Sequence, residues 1–129
     1  MDIIGNGVDI IKNSRINSSL KNKGFLNRIF TKNEIEQGKK LKNKINFYAK
    51  RFAAKEAFVK AIGTGFRYDI NFNDIEINNH KNGKPYILLS NKLKNFLKKK
   101  FKIQKYKIHL SLSDEKDYSV AFVIIDKII

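Results

Sequence analysis

Along the chain, stretches of two-residue alternation give way to stretches of helical period, and the switches mark the elements. The β-rich stretch from Ile3 to Ile11, broken by Gly5 and Gly7, predicts a strand that ends near Asp9. Helical pieces follow through Lys44. One has a clear start, because Thr31 and, three residues on, Glu34 fit a capping box. The strongest helix is predicted from Phe47 to Ile62, rich in alanine and ended by Gly63 as its C-terminal cap. Within it Tyr48, Phe52, Val59 and Ile62 recur near helical period and are expected to face a core. Gly63-Thr64-Gly65 then breaks the helix.

Strand signals dominate the second half. Asp74 to Asn78 alternates, Asn82-Gly83-Lys84-Pro85 reads as a turn, and Tyr86 to Leu89 as the returning strand. Ser90 caps a short basic helix expected to turn Leu93, Phe96 and Leu97 inward. Ile108, Leu110 and Leu112 alternate with Lys107, His109, Ser111 and Ser113, and Tyr118 to Ile125 closes a terminal hairpin. Strands and helices do not alternate regularly, so the expected class is α+β, an antiparallel sheet packed against helices. No repeat, low-complexity linker or Pro/Gly-rich boundary divides the chain, and residues 1–129 are expected to form a single domain.

Composition narrows the function classes. The absence of cysteine removes disulfides, thiolate nucleophiles and cysteine-ligated zinc, and two histidines are too few for a multi-histidine metal site. The longest apolar run, Val120 to Ile125, is far short of the roughly 20 residues a membrane span needs. The opening Met1-Asp2-Ile3-Ile4 lacks the basic region of a secretory signal, so a cytoplasmic location is the expectation. Lys+Arg number 27 against 12 Asp+Glu, a formal charge of +15. Such charge fits an acidic partner, either nucleic acid or an acidic protein. Yet Ile, Lys and Asn together make 57 of 129 residues, and all three have A/T-rich codons, so genome bias also accounts for much of it. Against a lysine-rich background, Arg15, Arg28, Arg51 and Arg67 mark places where a planar bidentate donor for phosphate or carboxylate is expected.

Gly5-x-Gly7 lacks the third glycine of a dinucleotide fingerprint, since Ile10 stands there, and no Walker A pattern exists. The two glycines read as a bend or bulge. Asp9 lies just beyond them, and Glu56 lies among alanines and phenylalanines. A carboxylate in such surroundings needs a partner. Spacing offers Lys60, four residues on and in the favourable acid-before-base order. The alternative is a hard oxygen ligand for Mg²⁺, which takes one or two protein carboxylates together with substrate phosphates. His109 falls on the non-core face of its strand, and no Ser/His/Asp triad follows from spacing.

Gly5-Asn6-Gly7-Val8-Asp9-Ile10 with Arg15-Ile16 resembles the amino-terminal motif of bacterial holo-[acyl-carrier-protein] synthases. Lys50 through Gly65 resembles their signature helix and loop. Asp74-Ile75-Glu76-Ile77 with Asn82-Gly83-Lys84-Pro85-Tyr86 resembles their middle, and His109 to Glu115 with Tyr118 their terminal hairpin. The resemblance spans essentially the whole chain and implies the 4′-phosphopantetheinyl transferase fold. It implies transfer of 4′-phosphopantetheine from coenzyme A to a serine of apo acyl carrier protein, releasing adenosine 3′,5′-bisphosphate, as a step serving fatty acid biosynthesis. On it, Asp9 and Glu56 are Mg²⁺ ligands, Glu56 and Lys60 are the catalytic pair, and Lys60 is the cation beside the reacting phosphate. Arg51, Gly63, Thr64, Gly65, Lys84, Pro85 and His109 line the coenzyme A site, and Arg15 and Arg28 meet the acidic carrier protein. It also implies a homotrimer with sites between subunits, and no nucleic acid or membrane partner. Many members carry His where this chain has Asp114, so no role passes to that position.

The chemistry agrees with the resemblance. Phosphoryl transfer is chiefly positioning and charge neutralisation, and needs neither a cysteine nor a triad. The competing expectation from charge alone is a non-catalytic basic RNA- or ribosome-binding module. That module leaves the acidic pair and the Gly-Thr-Gly loop without a purpose, and no aromatic RNP motif is present.

Overall fold

The first and last segments of the chain pair with each other. In the computed structural model, which describes residues 2–128, β1 (Asp2–Lys12) runs antiparallel to β5 (Tyr118–Lys127). β5 in turn pairs antiparallel with β4 (Tyr106–Asp114), giving the order β1-β5-β4. β1 continues past Asp9, because its ladder with β5 persists through Ile10↔Val120 to Lys12↔Tyr118. A register shift between Ile3 and Gly5 supplies the expected bulge.

Three short helices follow: α1 (Asn13–Ser19), α2 (Lys23–Ile29) and α3 (Lys32–Lys39). Each of the last two has a side-chain cap. Asn22 accepts from the amides of Gly24 and Phe25, and the Thr31–Glu34 capping box forms as predicted. α4 (Ile45–Ala61) begins slightly before its predicted start, where the Asn43 side chain accepts from the Ile45 amide. Gly63, at φ +74°, ends it in the left-handed conformation that glycine adopts without strain.

α4 lies on the inner face of the three-stranded sheet and forms the core with it. Ala53, Ala57 and Val59 of the helix and Ile11, Ala121 and Val123 of the sheet are all buried. Gly5 and Gly7 make this packing close: a Cβ on either would lie about 2 Å from a helix carbonyl oxygen, that of Ala61 or Ala57. The glycines therefore do more than bend the strand; they let helix backbone rest on strand backbone. Phe52 departs from the expected core stripe. It is half-buried, and its ring stacks between Phe25 and Phe72 at centroid distances of 6.2 and 5.4 Å.

The second hairpin is β2 (Ile75–Asn79) with β3 (Pro85–Leu89), followed by α5 (Asn91–Phe101). Ser90 caps α5, and Leu93 and Leu97 point inward as expected. Phe96 is only half-buried and stacks on Tyr68. Asp74, predicted in the strand, instead closes a 3₁₀ turn at Phe72–Asp74. Burial pushes its carboxyl up, but bonds from the Asn71 amide, Ser90 and Lys92 outweigh that and hold it below the usual carboxylate range. The class is α+β with antiparallel pairing, as the sequence pattern predicts.

Candidate active site

Strand parity puts Asp9 where it can act. Gly7 and Ile11 face α4 and are buried, so Asp9 between them faces the helix too, while Val8 and Ile10 point outward. On α4, Glu56 and Lys60 lie one turn apart and look toward β1. Lys60 Nζ donates to Asp9 Oδ1 at 3.0 Å and to the Val8 carbonyl at 3.1 Å. The i,i+4 partner suggested by spacing is thus displaced by a residue 51 positions away. Lys60 is about half exposed, so this pair contributes little to stability, on the order of 0–1 kcal/mol.

Glu56 is left without an ion-pair partner among the described residues, in a half-buried position. Burial pushes its carboxyl up, the nearby negative charge of Asp9 pushes it further, and Lys60 offsets part of the rise. Two carboxylates and one ammonium therefore converge where β1 crosses α4. The donor set is oxygen only, with no thiol or imidazole among these groups, and no described group of three or more His, Cys, Asp or Glu could hold a metal by itself. Two carboxylates suit a hard divalent cation that takes its remaining oxygen ligands from substrate and water.

At the start of α4 the arrangement changes. Arg51 is buried, its guanidinium 3.7 Å above the Phe47 ring, and Nη2 donates to Asn79 Oδ1 at 2.7 Å. Asn79 in turn donates to the Gly83 carbonyl, so Arg51 is wired to the turn that carries Lys84 and Pro85. Arg51 Nε has no hydrogen-bond partner among the described residues.

Comparison with known proteins decides the family. The 4′-phosphopantetheinyl transferase superfamily matches residues 5–123. This chain belongs to it. A holo-[acyl-carrier-protein] synthase of Pelagibacter ubique is 56% identical over 127 residues, 98% of this chain and 99% of its own. Among solved structures, the Neisseria meningitidis holo-[acyl-carrier-protein] synthase has a TM-score of 0.88 at 38% identity, covering 97% of this chain and 99% of that one. The Bacillus anthracis enzyme, solved in complex with coenzyme A (3′,5′-ADP), has a TM-score of 0.82 at 38% identity, covering 98% and 99%.

The fold of this transferase brings some of the sequence-predicted residues together and not others. Asp9, Glu56 and Lys60 form one cluster, and Arg51 is linked through Asn79 to the backbone just before Lys84 and Pro85. Gly63, Thr64 and Gly65 lie at the far end of α4, about 15 Å of helix beyond Arg51 at 1.5 Å per residue. His109 is paired with Ile124, on the sheet face opposite to Asp9, and its Nε2 is 3.6 Å from Asp126. Arg15 on α1 and Arg28 on α2 are exposed and make no ion pair among the described residues.

Several side chains that brace the site receive no role there from the sequence alone. Asp114 accepts from Asn46 at 2.7 Å and pairs with Lys50 at 3.3 Å, clamping the end of β4 to the first turns of α4. Buried Asn13 donates to the carbonyls of Glu115 and Lys116 and accepts from Ser119, fixing the β4–β5 turn. Lys55 and Glu34 form a wholly buried ion pair. A lysine inside Ala53-Ala54-Lys55-Glu56-Ala57-Phe58 is the available signal, since a charge there cannot reach water on every face of the helix.

Proposed function

We propose that the chain transfers the 4′-phosphopantetheine group from coenzyme A to a serine of apo acyl carrier protein, releasing adenosine 3′,5′-bisphosphate. The observation that carries this reading is the convergence of Asp9, Glu56 and Lys60 at one crossing of strand and helix. In the reaction the serine Oγ bonds to the phosphorus that bears the pantetheine arm, and the pyrophosphate P–O bond breaks. Asp9 and Glu56 would hold Mg²⁺, which when bound supplies positive charge to the pyrophosphate oxygens. Lys60 stands beside Asp9 and balances the charge that gathers on the departing bisphosphate. Glu56, whose carboxyl is pushed up by burial and by Asp9, is the group assigned to take the serine proton.

Arg51, Lys84, Pro85, the Gly63-Thr64-Gly65 loop and His109 are assigned to the coenzyme, Arg15 and Arg28 to the acidic carrier protein. The reaction serves fatty acid biosynthesis in the cytoplasm; among the described residues no helix is long and apolar enough to cross a membrane. The experiment is mass spectrometry of apo carrier protein incubated with the chain, coenzyme A and Mg²⁺. The expected result is a gain of one phosphopantetheine arm, and an unchanged carrier mass overturns the reading.

The same reading includes a homotrimer with sites between subunits. Two features support it. His109 and Asp9 leave opposite faces of one sheet, so a shared coenzyme meets both most simply at a junction of two subunits. The outer face also carries an apolar strip: Val8, Ile10, Tyr118 and Phe122 are 41–62% exposed. Phe122→Glu places a charge in that strip and should convert the assembly to inactive monomers by light scattering. Active monomers of the unmodified chain would remove the shared site.

A further inference from the structure

Lys55 and Glu34 are both fully shielded from solvent, with Nζ 2.6 Å from Oε1. The pair, which joins α3 to α4, is wired to two other elements and to the cap of α3 itself. Lys55 Nζ also donates to the Ile29 carbonyl at 2.7 Å, at the end of α2. Glu34 Oε1 accepts from the Thr31 amide, and Oε2 from the Ile77 amide of β2, both at 2.9 Å. Taking two ions out of water is costly, and well-packed apolar residues often serve stability as well or better. Stability alone therefore gives no reason for an ion pair here. Position does. Lys55 is the residue before Glu56, and Ile29 is the residue after Arg28.

We propose that Lys55 and Glu34 are positioning residues, which hold the end of α2 in register with Glu56 so that a carrier protein docked at Arg28 delivers its serine to the reacting phosphate. The inference rests on the proposed transfer reaction and deepens it. The hydrogen bond from Lys55 to the Ile29 carbonyl adds a directional tie between the end of α2 and α4 to the ring contacts Phe25–Phe52 and Phe30–Tyr48. The bonds that Glu34 accepts from the Thr31 amide and from the Ile77 amide of β2 fix Lys55 in turn, so the ammonium has one place to sit. Neither residue reaches solvent, so neither touches coenzyme A or the carrier protein.

The test compares Glu34→Gln, Lys55→Met and the double variant in the full chain. It measures melting, coenzyme A affinity by calorimetry, and kcat and KM for carrier protein. Lys55→Met alone leaves a buried carboxylate unpaired and is expected to melt early. The double variant removes the ammonium that holds the Ile29 carbonyl and leaves no buried charge unpaired, so it should fold at a permissive temperature and bind coenzyme A like the wild type. Its kcat/KM for carrier protein should nevertheless fall roughly 10- to 100-fold, the scale of a misplaced reacting group. Glu34→Gln, which keeps an acceptor for Lys55, should fall in the same direction by less, and provides the test if the double variant does not fold. Wild-type kcat/KM in whichever of these folds, or an equal loss of coenzyme A affinity, overturns the positioning role. A wild-type chain that loads no carrier overturns the proposed reaction instead.

Discussion

Glu56→Gln should bring transfer close to a halt while leaving the chain folded. Glutamine keeps the shape of the side chain and removes its charge, so the change isolates electrostatics. Within the cluster the loss takes away one of two anionic oxygen ligands and the group assigned to take the serine proton, and a fall of roughly 10²-fold or more in kcat is expected. The required Mg²⁺ concentration should rise in parallel. Stability should move the other way. The carboxyl is raised in the fold by burial and by Asp9, so its charged form is less at home there than in the unfolded chain. At neutral pH that charge opposes folding, and the opposition disappears as pH falls below the raised folded value. Glu56→Gln should therefore melt at or slightly above the wild-type temperature at neutral pH, with the difference closing in acid. Had Glu56 been the ion-pair partner of Lys60, the variant would melt earlier and still turn over. Rates near normal with unchanged metal dependence would reject its role.

Local signals are the legible part of this sequence. The Thr31–Glu34 capping box, the Gly63 helix end, the β2–β3 turn and the terminal hairpin are encoded within a few residues, and periodicity or turn chemistry exposes them. The fold class follows from their order. What escapes reading depends on contacts distant in sequence. Spacing offers Lys60 to Glu56, but packing α4 on β1 brings Asp9 and the Val8 carbonyl to the ammonium first. The capping box places Glu34 at the third position of α3, and that explains only one of its oxygens. The other accepts from the Ile77 amide of β2, 43 residues on, and no local pattern signals it. Strand β1 overruns Asp9 because pairing, not propensity, sets its end. The motif residues themselves are legible through family resemblance, whereas their distribution over two sheet faces requires the fold.

Gly7→Ala is the substitution expected to damage the fold most for its size. The glycine pairs with Val123 in the sheet, and its backbone needs no left-handed conformation, so the constraint is space alone. An added Cβ would lie 2.0 Å from the Ala57 carbonyl oxygen, 2.7 Å from the Ala61 nitrogen and 3.0 Å from the Lys60 Cβ. Two of the three obstacles are backbone and cannot rotate away. β1 cannot retreat either, because it is laddered to β5 along its length. The helix must lift off by about 1 Å or more, and close-packed interiors resist such a shift. Overpacking typically costs about 1–3 kcal/mol, and with rigid backbone on both sides a loss of about 3 kcal/mol is expected. The same displacement acts on the chemistry, since Asp9 lies two residues along β1 and its 3.0 Å bond to Lys60 spans the gap being opened. Gly7→Ala should thus melt much earlier than the wild type and, at a permissive temperature, transfer slowly and require more Mg²⁺. Gly24→Ala is the control: its Cβ would meet only the Asn22 side-chain oxygen at 3.1 Å, and both melting and rate should stay near wild type. If Gly7→Ala and Gly24→Ala prove indistinguishable in melting and in rate, close backbone contact between α4 and β1 is not what holds Asp9 and Lys60 together.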